Sequence, residues 1–287
     1  MYWLRLDVAI ARESAEALSS VMLSLSPSGI LVSEEGAIVT LTIYLPDPSS
    51  LEDAQAAIKN ALDRIGSQGL NTEPGRITIS SITDKDWVEN YKRHFKLLRI
   101  GRFLIKPSWK DVEVAGDNMV IQLDPGLAFG TGSHPTTEGC LLFLQEFLRG
   151  GEVVFDLGTG SGILAIAAAK LGAKRVIAVD NDEMAVTVAQ ENARVNGTSS
   201  IIDFRYADFA DIGPVDVDLL VANLTTPVII NVLPDVVKKL RGLKVFIASG
   251  ITTGQEDKIL AALKENGFEV VKVIIKDGWV TVVSTFG

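Results

Sequence analysis

A glycine-rich turn between two apolar segments carries the residues of this chain that are best suited to bind a ligand. An apolar run leads into Asp156, and three glycines follow it at every second position, Gly158, Gly160 and Gly162. Glycine lets a ligand approach the backbone where a Cβ atom would clash. A second apolar run then ends in Asp180. The pattern predicts a strand–turn–helix–strand unit that binds a nucleoside, with Asp180 accepting hydrogen bonds from a ribose diol.

The spacing of these glycines distinguishes between two kinds of nucleoside. A dinucleotide turn follows Gly-x-Gly-x-x-Gly and brings a pyrophosphate to a helix N-terminus. Counted from Gly158, its third glycine would fall on Ile163. The observed Asp-x-Gly-x-Gly-x-Gly is the form usual in enzymes that use S-adenosylmethionine (SAM), which has a cationic amino-acid end and no phosphate. Asp156 could help hold that end by Coulombic attraction.

The composition describes a globular chain with few metal ligands. Of its 287 residues 47% are hydrophobic, and it has one cysteine, Cys140, and two histidines, His94 and His134. These counts exclude an internal disulfide and disfavour a zinc site. No apolar run approaches the ~20 residues that cross a bilayer, and the first residues do not resemble a signal peptide. We therefore expect a cytoplasmic protein without a metal and without a membrane partner.

The charge distribution separates an acidic body from one basic segment. The net charge of −9 disfavours broad nucleic-acid binding and suits a basic protein partner. Residues 86–110 carry seven basic residues against two acids, namely Lys92, Arg93, Lys96, Arg99, Arg102, Lys106 and Lys110. This segment could make an incidental contact with rRNA. A solvated face, or pairing with neighbouring acids, is the simpler interpretation.

The first 85 residues have the pattern of a small α+β domain. Periodicity predicts strands over 2–10, 29–33, 37–45 and 76–82, with helices over 13–25 and 51–65. The order βαββαβ is ferredoxin-like, and it indicates no function by itself. We expect a domain over 1–85, a connector over 86–119 that begins with a short helix at 84–97, and a second domain over 120–287.

The second part of the chain alternates strands and helices until its last two strands. We predict strands over 99–106, 120–123, 153–156, 175–180, 202–205, 217–222 and 244–248. Helices are predicted over 138–148, 183–196, 228–240 and 256–266, with a kink or break at Pro234. Strands 269–275 and 280–286 follow each other without a helix, so they must pair antiparallel or lie apart. The predicted fold class is α/β, with the Rossmann-like sheet of class I SAM-dependent methyltransferases, a terminal antiparallel hairpin, and the N-terminal ferredoxin-like domain.

Polar residues follow or end five successive predicted strands, namely Asp156, Asp180, Asp208, Asn223 and Ser249. Ligands bind at the carboxyl ends of the strands in an open parallel sheet. Asp180 could bind the ribose or cap the next helix. Asp208 could accept from the adenine amino group, with Phe209 near the ring, or be an ordinary loop acid. Asn223 could accept from a substrate amine and aim its lone pair, or be a turn residue.

The segment 124–137, DPGLAFGTGSHPTT, has the composition of a functional loop or of a glycine-rich connector. Methyl transfer from a sulfonium is an in-line displacement that depends mainly on proximity and alignment. A lysine amine must first lose a proton, which a desolvated pocket beside the sulfonium favours. His134 could help, although packing and hydrogen bonding in its loop is the commoner role.

Several segments resemble the bacterial ribosomal protein methyltransferases of the PrmA type, which trimethylate amino groups of the eleventh protein of the large ribosomal subunit. The resemblance rests on 100–109, 124–137, 156–173, VDND at 179–182, ENARVNG at 191–197, VANL at 221–224 and SGI at 249–251. The segment 124–137 is the most specific. The resemblance is close from residue 100 onward and covers 1–85 only as an expected substrate-recognition domain.

The resemblance implies SAM contacts at Thr137, Gly158, Asp180 and Asn223, and a loop over the cofactor that includes Phe129 and Gly132. Three positions depart from the family pattern. Thr159 stands in a turn that is commonly Gly-Cys-Gly, which should be harmless. Leu-Thr-Thr follows Asn223 where aliphatic and small residues are usual, which affects the amine pocket. The tryptophan-rich connector retains only Trp87 with Tyr91, which affects substrate docking.

We predict a SAM-dependent N-methyltransferase acting on lysine ε-amines and the N-terminal α-amine of a basic large-subunit ribosomal protein. The predicted catalytic residues are Asn223 and His134. The predicted cofactor-binding residues are Phe129, Gly132, Thr137, Asp156, Gly158, Gly160, Gly162, Asp180, Asn181, Asp208 and Asn223. The alternatives are an N-methyltransferase of a nucleic acid or a small molecule, and a SAM-binding module without turnover. No Pro-Pro-aromatic sequence follows Asn223, which counts against base methylation, and a nicotinamide oxidoreductase is favoured least.

Overall fold

The structure is a computed structural model, and it describes residues 2–26, 30–45, 50–67, 69–83, 97–124 and 134–286. The chain divides into two compact units, Met1–Phe95 and Lys96–Gly287. Two predicted site residues, Phe129 and Gly132, lie outside the described residues. So do Trp87, Tyr91 and all of the predicted helix 84–97 except Leu97.

The first unit is a four-stranded antiparallel sheet with two helices. Its elements are β1 (Tyr2–Ala11), α1 (Arg12–Leu25), β2 (Leu31–Glu35), β3 (Ile38–Leu45), α2 (Leu51–Ser67) and β4 (Arg76–Thr83). The sheet order is β2-β3-β1-β4, and every neighbouring pair is antiparallel. Alternate residues of β1 are buried in a core that includes Leu18 and Ile58. The predicted order βαββαβ is therefore confirmed, while its interpretation as a ferredoxin-like recognition domain stays a prediction.

The second unit begins with a small sheet and continues as an alternating α/β fold. The elements before the main sheet are β5 (Leu98–Ile100), β6 (Phe103–Lys106), β7 (Met119–Gln122) and α3 (Pro135–Phe147). The main elements are β8 (Val153–Leu157), α4 (Ile163–Lys170), β9 (Arg175–Asp180), α5 (Glu183–Val195), β10 (Ile202–Tyr206), β11 (Val215–Asp216), β12 (Leu219–Asn223), α6 (Thr226–Lys239), β13 (Leu240–Arg241), β14 (Val245–Thr252), α7 (Glu256–Glu265), β15 (Phe268–Lys276) and β16 (Trp279–Phe286).

The main sheet has seven strands in the order β10-β9-β8-β12-β14-β16-β15. The first five are mutually parallel, and β16 is antiparallel to both of its neighbours, which confirms the predicted terminal hairpin. The central strands β8, β12 and β14 are mostly apolar because both faces of the sheet are covered, whereas β10 at the edge carries Asp203 and Arg205. One core includes residues of α3 and α4, and the other includes residues of α6 and α7.

Three predicted elements differ from the observed ones. The single strand predicted over 99–106 is two strands, because the chain turns at Gly101 with φ +56°. Strand β14 runs past the predicted end at 248, with a register shift between Ala248 and Ile251. Helix α6 is continuous through Pro234, so the predicted break is wrong while the alternative of a kink stays a prediction, and buried Leu233 and Val236 beside the proline pack the helix against the core. None of the described helices is long and apolar enough to cross a membrane.

Candidate cofactor and amine site

The predicted site residues in the described part of the second unit meet at the carboxyl edge of the main sheet. Strand β8 lies between β9 and β12, so the glycine turn after β8 is flanked by Asp180 and Asn223. The N-terminal turn of α3 reaches the same edge, where Nδ2 of Asn223 donates to Oγ1 of Thr137 at 3.4 Å. The structure thus brings together Thr137, the glycine turn, Asp180 and Asn223.

The glycine turn adopts a conformation that requires its glycines. Gly158, Gly160 and Gly162 have φ angles of +74°, +53° and +81°, which L side chains rarely adopt. The backbone N–H of Gly160 donates to Oδ2 of Asp180 at 2.9 Å. The N–H of Gly158 also donates to the carbonyl of Val179 at 2.8 Å. Strand β9 therefore holds the turn directly.

The charges at this turn favour a cationic ligand. Two carboxyl groups, of Asp156 and Asp180, lie next to the turn, and one of them already accepts from Gly160. A pyrophosphate would bring two negative charges to the same place and would compete for that N–H. The amino-acid end of SAM brings an ammonium, a carboxylate and a sulfonium instead, with a net positive charge. The residues present therefore fit SAM better than a dinucleotide.

Asp180 does not cap the helix that follows it. Its Oδ1 accepts from the N–H of Asp182 at 3.1 Å, and Asp182 in turn caps α5 by accepting from Met184 at 2.9 Å. The alternative of Asp180 as a helix cap is therefore wrong, and its predicted ribose contact stays a prediction. Asn181, between the two acids, is exposed.

Asp156 is fully buried beneath the turn. Its Oδ2 accepts from Oγ1 of Thr159 at 2.7 Å and from the N–H of Ala165 at 3.1 Å, so it ties the turn to the start of α4. Among the described residues Oδ1 has no hydrogen-bond partner. Burial raises the pKa of this carboxyl to about 7, with a smaller contribution from Asp180. Asp156 thus has an observed role in holding the turn, and its predicted attraction to the ligand stays a prediction.

The raised pKa of Asp156 predicts a pH-dependent stability. The folded protein binds more protons than the unfolded chain between about pH 4 and pH 7, so the free energy of unfolding falls as pH rises through this interval. Asp156→Asn removes this contribution. We expect urea unfolding to show that the free energy of unfolding falls less steeply in the variant than in wild type as pH rises from 5 to 8. Parallel pH profiles for the two proteins would contradict the assignment.

Asp208 and Phe209 have local structural roles. Oδ1 of Asp208 accepts from the N–H of Ala210 at 2.8 Å and caps the short 3₁₀ helix Phe209–Asp211. The Phe209 ring is buried and packs edge-on against Phe155, with centroids 5.7 Å apart. The ring of Phe209 therefore belongs to the core. The predicted contact of Asp208 with adenine stays a prediction.

His134 caps α3 and packs against an aromatic ring. Its Nδ1 accepts from the N–H of Thr136 at 3.4 Å and lies 2.7 Å from the Thr136 hydroxyl. The imidazole lies edge-on to Trp279, with centroids 4.7 Å apart. Burial lowers the pKa of His134, which favours the neutral ring. Packing and hydrogen bonding are thus observed, while catalytic help from His134 stays a prediction.

The structure adds residues that the sequence reasoning missed. An added Cβ on Gly250 would lie 2.2 Å from the carbonyl oxygen of Leu224, and one on Gly158 would lie 2.5 Å from Cδ2 of the same leucine. Leu224 follows Asn223, and its N–H donates to the carbonyl of Ser249 at 2.9 Å. Two glycines therefore make room for the residue next to Asn223. Gly250 lies in the segment SGI, but no local pattern indicates its closeness to Leu224, or that of Trp279 to His134.

Comparison with known proteins identifies the family. The sequence profile described as "Ribosomal protein L11 methyltransferase (PrmA)" matches residues 2–286. The chain belongs to the ribosomal protein L11 methyltransferase family. It is 34% identical over 304 residues to the ribosomal protein L11 methyltransferase of Caldicellulosiruptor bescii, covering 99% of both chains. It is 33% identical over 297 residues to that of Streptococcus mutans, covering 96% of this chain and 94% of the relative.

A solved structure of the same family supports the fold. The crystal structure of ribosomal protein L11 methylase from Lactobacillus delbrueckii subsp. bulgaricus is 36% identical, with a TM-score of 0.62. The match covers 66% of this chain and 98% of that one. As a member of the family, this protein is a SAM-dependent methyltransferase with a Rossmann-like catalytic fold. Among the described residues no group of three or more His, Cys, Asp or Glu side chains could hold a metal ion.

Proposed function

We propose that this enzyme transfers methyl groups to lysine ε-amines and to the N-terminal α-amine of ribosomal protein L11. The observation that carries the proposal is the placement of the Asn223 amide at the sheet edge, beside a turn suited to a cationic cofactor. SAM, when bound, supplies an electrophilic methyl group on a positively charged sulfur. The chain itself contributes binding, alignment and desolvation.

In this proposal the cofactor is held by Thr137, Asp180, Asn181, Asp208 and the turn glycines, and the family resemblance adds Phe129 and Gly132 as contacts. Each oxygen of the Asp180 carboxylate accepts one backbone hydrogen bond, from Gly160 or from Asp182. The remaining lone pairs accept from the ribose hydroxyls in this proposal. Asp156 supports the turn from below. Its carboxylate form becomes more favourable when a cation lies above the turn.

Asn223 aligns the amine. Within the described residues, the side chain of Asn223 makes one hydrogen bond, in which Nδ2 donates to Thr137. Its Oδ1 is therefore available to accept a hydrogen bond from a substrate N–H. An amine that donates to Oδ1 directs its lone pair away from that bond, toward the methyl group. The amine must arrive neutral, and both the sulfonium charge and exclusion of water lower its pKa.

The substrate preference rests on charge and on the family. The chain carries a net charge of −9, which suits a basic ribosomal protein.

Residues 1–85 form the recognition domain in this proposal, 86–119 the connector, and 120–287 the methyltransferase domain. Strands β5 to β7, which lie within residues 97–124, pack in the core of the second unit. In this proposal any rRNA contact through 86–110 is incidental. Two of the described basic residues of this segment have partners within the chain: Arg102 pairs with Asp117, and Lys106 donates to the carbonyl of Lys110.

Radiolabelled SAM tests the proposal. Ribosomal proteins from a strain that lacks the enzyme are incubated with the purified protein, and the labelled products are digested with RNase or protease. We expect label on the eleventh large-subunit protein, resistant to RNase, with S-adenosylhomocysteine formed in step. Label lost to RNase would favour a nucleic-acid methyltransferase. Binding of SAM without S-adenosylhomocysteine would favour a module without turnover.

Asn223→Ala separates alignment from binding of substrate. Loss of the amide leaves the amine without its acceptor, so kcat should fall by about 100-fold at saturating substrates. Asn223→Asp retains an acceptor and should keep more activity than the alanine variant. Mass spectrometry of methylated peptides gives both rates. Equal kcat for wild type and Asn223→Ala would remove Asn223 from the proposed mechanism.

A further inference from the structure

Two asparagines of the segment ENARVNG, Asn192 and Asn196, lie behind the site and have no part in the proposed mechanism. They are one helical turn apart at the C-terminal end of α5, so their side chains share a face of the helix. Both are half-buried. Their side chains bond to two separate segments of the site.

Asn192 links the glycine turn to helix α5. Its Nδ2 donates to the carbonyl of Ser161 at 2.8 Å, and Ser161 is the residue between Gly160 and Gly162. Helix α5 also touches the turn at Ala189, whose Cβ lies 3.0 Å from where a Cβ on Gly162 would be. The helix thus holds the turn at Ser161 by a hydrogen bond and at Gly162 by close packing.

The side-chain amide of Asn196 bonds to both backbone groups of Gln122 at the end of β7. Its Oδ1 accepts from the N–H of Gln122 at 2.8 Å, and its Nδ2 donates to the carbonyl of Gln122 at 2.7 Å. The second proton of Nδ2 goes to the carbonyl of Asn192 at 2.8 Å. Both amide protons are therefore used. Gln122 stands two residues before the segment 124–137.

We propose that Asn192 and Asn196 are positioning residues, which hold the cofactor turn and the end of β7 in one fixed arrangement. The chain of contacts runs from Ser161 through Asn192 and Asn196 to Gln122. This inference rests on the proposed SAM site. Fixing both segments before the cofactor arrives reduces the entropy lost on binding.

The test measures the dissociation constant of SAM for the full-length protein by calorimetry. Asn192→Ala and Asn196→Ala should each raise it by about tenfold, since each removes hydrogen bonds that order the site. The KM for SAM should rise in parallel, with kcat within about twofold of wild type. In the double variant the increase in the dissociation constant should be smaller than the product of the two single increases. The reason is that the Asn196 side chain bonds to the backbone of Asn192, so Asn196→Ala already loosens the residue that holds Ser161.

Asn266→Ala is the matched control. Asn266 also follows a helix, precedes a glycine, and donates from Nδ2 to a carbonyl four residues earlier, but it lies at the end of α7. The variant removes the same local bond to the helix as Asn196→Ala but no bond to Gln122, so it should lose some stability without changing the affinity for SAM. Asn192→Ala leaves the bonds between Asn196 and Gln122 in place, so it serves if Asn196→Ala does not fold. Hydrogen exchange at Gln122 reports the lost contact directly.

The outcomes separate this inference from the proposed function. If wild type binds no SAM, the proposed function fails. If wild type binds SAM, and Asn196→Ala binds equally well while its Gln122 amide exchanges faster, the positioning role is wrong. An equal loss of SAM affinity in Asn266→Ala would also overturn it, because the effect would then come from stability alone.

Discussion

Gly250→Ala is expected to destabilise the protein by at least ~3 kcal/mol and to lower kcat of the folded fraction by about 100-fold. Gly250 has a φ of +88°, and an added Cβ would lie 2.2 Å from the carbonyl oxygen of Leu224 and 2.7 Å from its carbonyl carbon. Both atoms belong to the backbone and cannot rotate away. Leu224 must move, and Asn223 next to it moves with it. Urea unfolding and single-turnover methylation measure the two effects.

Gly254→Ala separates backbone strain from the clash. Gly254 lies in the loop after β14 with a φ of +89°, and nothing lies within 4 Å of an added Cβ. The variant should lose only ~1–2 kcal/mol, which is the cost of the left-handed conformation, and should retain its kcat. Equal losses of stability in the two variants would show that the contact with Leu224 is unimportant.

Asp180→Ala is expected to raise the dissociation constant of SAM by about 100-fold. The carboxylate accepts from the N–H of Gly160 at 2.9 Å and, in the proposed site, from the ribose hydroxyls. Its loss removes the side-chain bond to Gly160, while the backbone bond from Gly158 to Val179 remains, and it leaves the ribose without its acceptor. Hydrogen bonds to a charged group contribute ~1.5–3 kcal/mol each, so two lost bonds account for such a change. Calorimetric titration with SAM measures it.

Asp182→Ala is the control for Asp180. Asp182 lies two residues away, is exposed and caps α5 through the N–H of Met184. Its replacement should cost ~1 kcal/mol of stability and leave SAM affinity within about twofold of wild type. Equal losses of affinity in the two variants would mean that α5, and not the Asp180 carboxylate, governs binding.

The sequence predicts the catalytic fold well because its signals are local. Each signal lies within a few neighbouring residues. The signals are the apolar runs, the glycines of the turn, which have positive φ, and the lack of a helix between the last two strands. The resemblance from residue 100 onward correctly identified the family, and the profile match extends it to residues 2–286. Local signals also mislead where tertiary packing decides. Pro234 predicted a kink or break, yet α6 does not break there, and buried Leu233 and Val236 pack it against the core.

The sequence by itself determined the turn, its acidic neighbours and Asn223, because each follows a strand at a recognisable position. Only the tertiary structure decided which of these side chains have other partners. Asp182 rather than Asp180 caps α5, and His134 packs against Trp279, 145 positions later in the chain. Gly250 beside Leu224 and Asn196 beside Gln122 are likewise contacts between distant segments. Such contacts depend on sheet order and helix packing, and no short sequence pattern encodes them.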